Sequence, residues 1–204
     1  MGKTMDMTEG NPTKLILRFF FPLLAGNIFQ QLYSLVDSVV VGRGLGGDAL
    51  AAVGATGSLS FLIIGFAQGL CSGFGVNMAV EFGAKNQEKL KRVIFNSYVL
   101  CFIISTTFTI ISLTGMRPLL VLMKTDAAVI EQSIEYIRII FSGIIITMTY
   151  NICSALLRAV GDSRTPFVAV IMAALINTAL DILLVIVFDF GVAGAAIATL
   201  IAQA

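Results

Sequence analysis

The sequence predicts an all-α, polytopic membrane helix bundle. Three observations carry that expectation. The 204 residues are 57% hydrophobic and only 12% charged, with a mean hydropathy of +0.95, whereas soluble domains carry about 25% charged residues. Apolar runs long enough to cross a bilayer, about 20 residues each, recur along the chain. Two acids, Asp37 and Asp181, lie inside such runs. A carboxylate in hydrocarbon costs several kcal/mol unless it faces a cavity, a partner or an ion, so each is a candidate functional residue.

Taken in order, the predicted spans are residues 15–41, 50–80, 93–121, 129–160 and 166–188, followed by an incomplete one at 192–204. Asn11-Pro12-Thr13 opens the first with a cap and a first-turn proline. Ser163-Arg164-Thr165-Pro166 does the same for the fifth. Gly42, Gly44, Gly46 and Gly47 punctuate the first connection. The connection 81–92 is charged and expected to be helical in part. The last run spans 13 residues, about 20 Å of helix, against a hydrocarbon core of about 30 Å. The sixth helix is therefore expected to be truncated and the chain to be part of something longer.

Lys and Arg set the expected orientation. Lys3, Lys14, Arg18, Lys85, Lys89, Lys91, Arg92, Arg158 and Arg164 fall on one side; Arg43, Arg117 and Lys124 fall on the other. That asymmetry places the N-terminus in the cytoplasm. Arg138 lies within the fourth span and shares a face with Glu131 and Glu135; the trio reads as a solvated or paired helix end. No cleavable signal peptide is expected, because the first apolar run is too long for a signal core and lacks a small-residue cleavage site.

Net charge is +1, so no bulk field points to nucleic acid or an acidic partner. Cys71, Cys101 and Cys153 fit no zinc or redox spacing and read as small core residues. No nucleophile–base pair, metal cluster or phosphate loop is present. The Gly42–Gly47 connection lacks the Lys-Ser/Thr of a P-loop, so neither enzyme activity nor ATP-driven transport is expected.

Polar residues recur at helical steps within three spans. The first carries Asn27, Gln30, Tyr33 or Ser34, and Asp37. The second carries Gly65, Gln68, Gly69, Ser72, Gly73 and Asn77. The fourth carries Thr147, Asn151, Ser154 and Arg158. Polar groups in a span must find partners or water, so three stripes in one small bundle predict a shared polar cavity. Gly65, Gly69 and Gly73 also form small-xxx-small repeats, which read as helix packing.

Depth adds a second argument. At ~1.5 Å per residue from the outer helix ends, Asp37 lies roughly 8 Å in, and Asp181 and Thr199 each roughly 11 Å in. Asn177 is one turn from Asp181 on the same face. An oxygen-only set of this kind suits a hard cation such as Na⁺, and two neighbouring carboxylates can also take up a proton. A polar knot that only locks the bundle is the structural alternative.

These residues resemble the N-terminal half of multidrug and toxic compound extrusion (MATE) transporters. The likeness runs through essentially all of the chain. It rests on Pro22 followed by Leu35-Val36-Asp37-Ser38-Val39-Val40-Val41-Gly42, on Leu156-Leu157-Arg158-Ala159-Val160-Gly161-Asp162-Ser163 followed by Pro166, and on Asn177 to Asp181 followed by Gly191-Val192-Ala193-Gly194-Ala195-Ala196 and Thr199.

The resemblance implies that residues 1–204 form the N-terminal six-helix lobe of a twelve-helix transporter. It also implies export of organic cations or drugs in exchange for Na⁺ or H⁺, with a cation site at Asp37, Asn177, Asp181 and Thr199. It marks Pro22 as a point where the first helix bends. Gln30, Tyr33 and Asn151 are candidate substrate residues from the polar stripes. No catalytic residue and no resident cofactor or metal is expected, beyond Na⁺ or H⁺ as coupling ion. The implied partners are a small amphipathic substrate, membrane lipid and a C-terminal lobe, with no nucleic acid. The implied location is the cell membrane. Two rivals are a lipid-linked precursor flippase of the same superfamily, which should carry a strongly cationic cavity, and a non-transporting scaffold subunit.

Overall fold

The computed structural model describes residues 10–204, and every element among them is helical. Lys3, used in the orientation argument, lies outside the described residues. Helix α1 covers Pro12–Gly44. Asn11 Oδ1 caps it, accepting from the backbone N–H groups of Thr13 (3.1 Å) and Lys14 (3.4 Å). α1 continues through Pro22 as one helix, although a proline removes one hydrogen bond of the ladder.

Gly46, at φ +91°, turns the chain into α2, Gly47–Gly83. α3 covers Gln87–Leu122 and is capped by Asn86, whose Oδ1 accepts from Lys89 N–H at 3.1 Å. The charged connection is thus helical in part, as expected, with only residues 84–86 outside the two helices. α1, α2 and α3 have 33, 37 and 36 residues, about 50–55 Å each, so they reach well beyond the hydrocarbon core.

The fourth predicted span is two helices, α4 (Ile130–Ser142) and α5 (Ile144–Ala159), bent by 46° at Gly143. Glycine is needed at this bend. A Cβ there would collide with the Leu200 side chain. α6 covers Arg164–Asp181 and passes directly into a π-helical stretch, Ile182–Val187. α7 covers Gly191–Gln203.

α2 packs mainly on α5, α1 on α6, α3 on α4, and α7 on α6 and α4. One apolar core joins α2, α3 and α5 through Ala67, Cys71, Met78, Cys101, Ile144, Met148 and Ile152. A second joins the end of α1 and the start of α2 to the π-helical stretch and α7 through Val41, Ala49, Val185, Val192 and Ala195. Buried serines of α3 return their hydroxyls to their own helix: Ser97 to Val93 O (2.7 Å), Ser105 to Phe102 O (2.9 Å) and Ser112 to Phe108 O (2.6 Å). That satisfies them without a partner helix. Phe61, Phe95 and Leu122 are 82, 68 and 79% exposed. They belong to broad apolar faces that only lipid or another apolar surface can cover.

Two expectations need correction. A Cβ on Gly65, Gly69 or Gly73 would meet nothing within 4 Å, so this stripe packs no helix among the described residues. The close-packed glycine of α2 is Gly75, where a Cβ would lie 3.1 Å from Ala155 Cβ. Cys71 and Cys101 are buried with their sulfurs 3.9 Å apart, but Cys153 is exposed beside the Tyr98 hydroxyl. The helix end carrying Glu131 is solvated and paired as expected, with Arg117 of α3 as the partner at 3.0 Å.

Candidate functional site

Two helices carry both parts of the site, and aromatic and glycine contacts hold them together. Gly26 of α1 is buried facing Phe167 of α6. Phe29 and Phe167 meet edge to face at 6.0 Å. This contact runs α1 beside α6, so polar residues spaced along each helix come into register.

Near the C-terminal end of α1 lies Asp37. Asp181 sits where α6 gives way to the π-helical stretch. There Phe188 N–H reaches back five residues to Leu183 O at 2.9 Å, the wider turn that often marks functional positions. Small residues let neighbours approach this turn. A Cβ on Gly44 would lie 3.2 Å from the Val185 side chain, and one on Gly194 would lie 3.2 Å from the Leu184 backbone. α7 therefore presses against the π-helical stretch and brings Thr199 to Asn177.

Asp181 is fully buried and Asn177 is 1% exposed. With its carboxamide turned so that both ends are satisfied, Asn177 Nδ2 donates to Asp181 Oδ2 at 2.9 Å. Its Oδ1 then accepts from Thr199 N–H at 3.2 Å. The opposite orientation offers only a 3.4 Å contact from Nδ2 to Thr199 Oγ1, so the first is preferred. Thr199 Oγ1 donates to Ala195 O at 3.0 Å, which turns its lone pairs toward the cluster. The carboxyl group of Asp37 faces that of Asp181 within hydrogen-bond reach. One oxygen of each, Asp37 Oδ1 and Asp181 Oδ1, is buried without a hydrogen-bond partner.

The fold thus brings together all four residues of the expected cation site. It adds one that sequence reasoning missed: Tyr136 of α4 lies close enough to Asp37, Tyr33 and Asp181 to feel their charge. Glu131, Glu135 and Arg138 drew attention to the charges of that segment. The overlooked signal was a phenol, apolar in body and polar at its tip, one helical turn from the buried Ile140. Two carboxylates with unpartnered oxygens, a carboxamide and a hydroxyl make an oxygen-only donor set. That chemistry fits a hard monovalent cation or a proton shared by the two carboxyl groups.

Toward the other ends of α1 and α6 a cavity of about 310 Å³ opens between α1, α2, α5 and α6. All three polar stripes contribute to it: Asn27 and Gln30 from α1, Gln68 and Ser72 from α2, and Asn151, Ser154 and Arg158 from α5. Pro22 lines it too. A narrow space of about 30 Å³, lined by Gln30, Tyr33, Tyr150 and Thr199, lies between this cavity and the carboxylates. Of the candidate substrate residues, Gln30 and Asn151 line the cavity and Tyr33 the narrow space. Thr147 instead donates to Gln203 at 2.6 Å. Beyond Arg158, Asp162 closes the connection to α6. Its Oδ1 accepts from Arg164 N–H and Thr165 N–H, both at 3.0 Å, and its Oδ2 from Thr165 Oγ1 at 2.6 Å. These bonds, that of the Thr165 hydroxyl first, hold the partly exposed Asp162 carboxyl below the usual carboxylate range.

The sequence matches the MatE family profile over residues 22–183. It is 37% identical over 187 residues to the probable multidrug resistance protein YoeA of Bacillus subtilis, covering 90% of this chain and 40% of that protein. It is 32% identical over 206 residues to the probable multidrug resistance protein YpnP of the same organism, covering 98% of this chain and 45% of the relative. Among solved structures it is similar to a multidrug resistance MATE family transporter of the MOP superfamily in an outward-facing conformation. That likeness has a TM-score of 0.91 at 33% identity and covers 100% of this chain and 45% of the other. The chain belongs to the MatE family, and its fold is that of the family's N-terminal lobe. It spans less than half the length of the relatives it matches.

Proposed function

We propose, from the chain's membership in the MatE family, that it is the N-terminal lobe of a cation-coupled antiporter in the cell membrane. The whole transporter exports organic cations or drugs in exchange for Na⁺ or H⁺. Asp37, Asn177, Asp181 and Thr199 form the coupling-ion site. The observation that carries this reading is the cluster itself: two carboxyl groups in mutual contact inside a membrane bundle, each with a buried unpartnered oxygen. Buried charges are retained where they bind something or pair.

The ion acts through its preference between states. Na⁺ or a proton taken up from outside neutralises the repulsion between Asp37 and Asp181 and draws α1 and α6 together. A ligand shifts two states only by its differential affinity for them, so the cluster must differ between the drug-holding and drug-released states. α1 is the element able to supply that difference. Pro22 removes one rung of its ladder beside the cavity, which makes it a bend point. Gln30, Tyr33 and Asn151 contact a small amphipathic substrate. A second lobe completes the pathway, lipid surrounds both, and the N-terminus faces the cytoplasm.

The test is Asp181→Asn in the whole transporter, reconstituted in vesicles. The variant keeps the shape and a donor for its neighbours but loses the charge. Efflux driven by an imposed sodium or proton gradient should fall to the level without a gradient, while expression and folding are retained. Gradient-driven efflux equal to wild type would sink the assignment. Imposing each gradient alone separates the two ions.

A further inference from the structure

We infer that Arg158 makes the cavity between α1, α2, α5 and α6 a docking place for an anionic group, a carboxylate or phosphate, on the transported compound. The inference rests on the transporter reading and narrows its substrate class to amphipathic compounds that carry an anion as well as a cation. Among the described residues lining that cavity, Arg158 is the one charged side chain. It is half-buried, and no carboxylate lies within ion-pair distance of it among the described residues, where the two ion pairs are Arg92–Glu88 and Arg117–Glu131. The nearest acid in sequence, Asp162, is committed to capping α6 through Arg164 and Thr165.

A guanidinium in such a place presents a planar fork of donors matched to carboxylate and phosphate oxygens. Its surroundings favour that use. Asn27, Gln30, Gln68, Ser72, Asn151 and Ser154 face the same space with amides and hydroxyls, able to complete the shell of a bound anion but not to cancel the charge. The protein's negative charge lies elsewhere. Asp37 lies seven residues beyond Gln30 on α1, roughly 10 Å further along the helix. The two charges of the protein thus sit at opposite ends of one polar path.

The chain's two charged centres predict opposite selectivities, which makes the test decisive. Equilibrium binding of a fluorescent aryl-piperazine carboxylic acid and of its methyl ester is measured on the whole transporter, without any ion gradient. If the carboxylate pair alone governs binding, the ester, a net cation, binds tighter. If Arg158 docks the carboxylate, the acid binds tighter, by about tenfold for one charge-assisted hydrogen-bond pair.

Arg158→Gln should remove that preference by weakening the acid alone, and Arg158→Lys should keep part of it. Equal weakening of acid and ester, or no preference in the wild type, would overturn the proposal. The wild-type comparison stands even if the Gln variant fails to fold. Repeating it in nanodiscs of phosphatidylcholine and of phosphatidylglycerol separates sources of the anion. A preference for the acid in both supports the transported compound. A preference abolished by phosphatidylglycerol would mean that a lipid phosphate occupies Arg158, and the substrate assignment would fall. Because no gradient is used, failed ion coupling at Asp181 leaves this result untouched, and a failed acid preference leaves coupling untouched.

Discussion

The same two helices, α1 and α6, build two unlike regions. At the Asp181 end, polar groups are gathered into a buried cluster sealed by α7. At the Arg158 end, they are spread around an open cavity. The difference is one of packing rather than composition. Both regions hold carboxamides, hydroxyls and a charge. Small residues decide which region closes: Gly44, Gly143 and Gly194 each admit a neighbour to the cluster side. The exposed Gly65, Gly69 and Gly73 of α2 admit none among the described residues. Ion binding belongs where desolvation makes charge expensive, and substrate belongs where there is room.

The comparison can be broken most severely at Gly143. Gly143→Val should cost about 1–3 kcal/mol or more by overpacking, because Leu200 occupies the space a side chain would need. The thermal midpoint in detergent should fall by several degrees, and adding Leu200→Ala should recover most of the loss. No recovery would mean that the bend is not set by α7. Next is Asn177→Leu, which leaves Asp181 Oδ2 without its donor. Removing one partner of a buried hydrogen bond costs about 1–3 kcal/mol, read in the same assay. An unchanged midpoint would show the cluster to be looser than its 2.9 Å contact implies.

The open end should be more forgiving. Asp162→Ala removes a helix cap, worth about 1 kcal/mol, and pH sharpens the measurement. The folded carboxyl lies below its ordinary value, so its contribution is present above the unfolded pKa of about 3.9. That contribution is lost as pH falls through the folded value. The gap between wild type and variant should therefore be constant from pH 5 to 7 and close below pH 4; a gap that widens on acidification would contradict the cap. The smallest effect is expected at Gly69→Ala. With open space around it, the variant should gain up to about 0.5–1 kcal/mol from helix propensity in this chain. A clear loss would show that the face is packed.

Much of this was legible in the residues. Hydropathy marks the spans, since a bilayer leaves the backbone no choice but a helix. Period 3.6 put Asn27, Gln30 and Asp37 on one side of α1, and Asn177 with Asp181 on one side of α6. The three stripes converge as their spacing suggested. The family likeness, carried by Pro22, Asp37, the Arg158–Asp162 connection and the Asn177–Thr199 segment, is the family shown by comparison.

Other features depended on contacts between segments far apart in sequence. Nothing local in residues 182–187 announces a π-helical stretch; it forms where Gly44 and Gly194 bring α1 and α7 against Val185 and Leu184. The need for glycine at the Gly143 bend comes from Leu200, 57 positions away. Tyr136 joins the carboxylates only because α4 and α7 meet. The sequence by itself determined which residues lie in helices and on which side of each, because those are consequences of one helix in one solvent. Which sides meet, which glycines are filled and which acids touch were decided by tertiary structure, because close packing is a property of pairs.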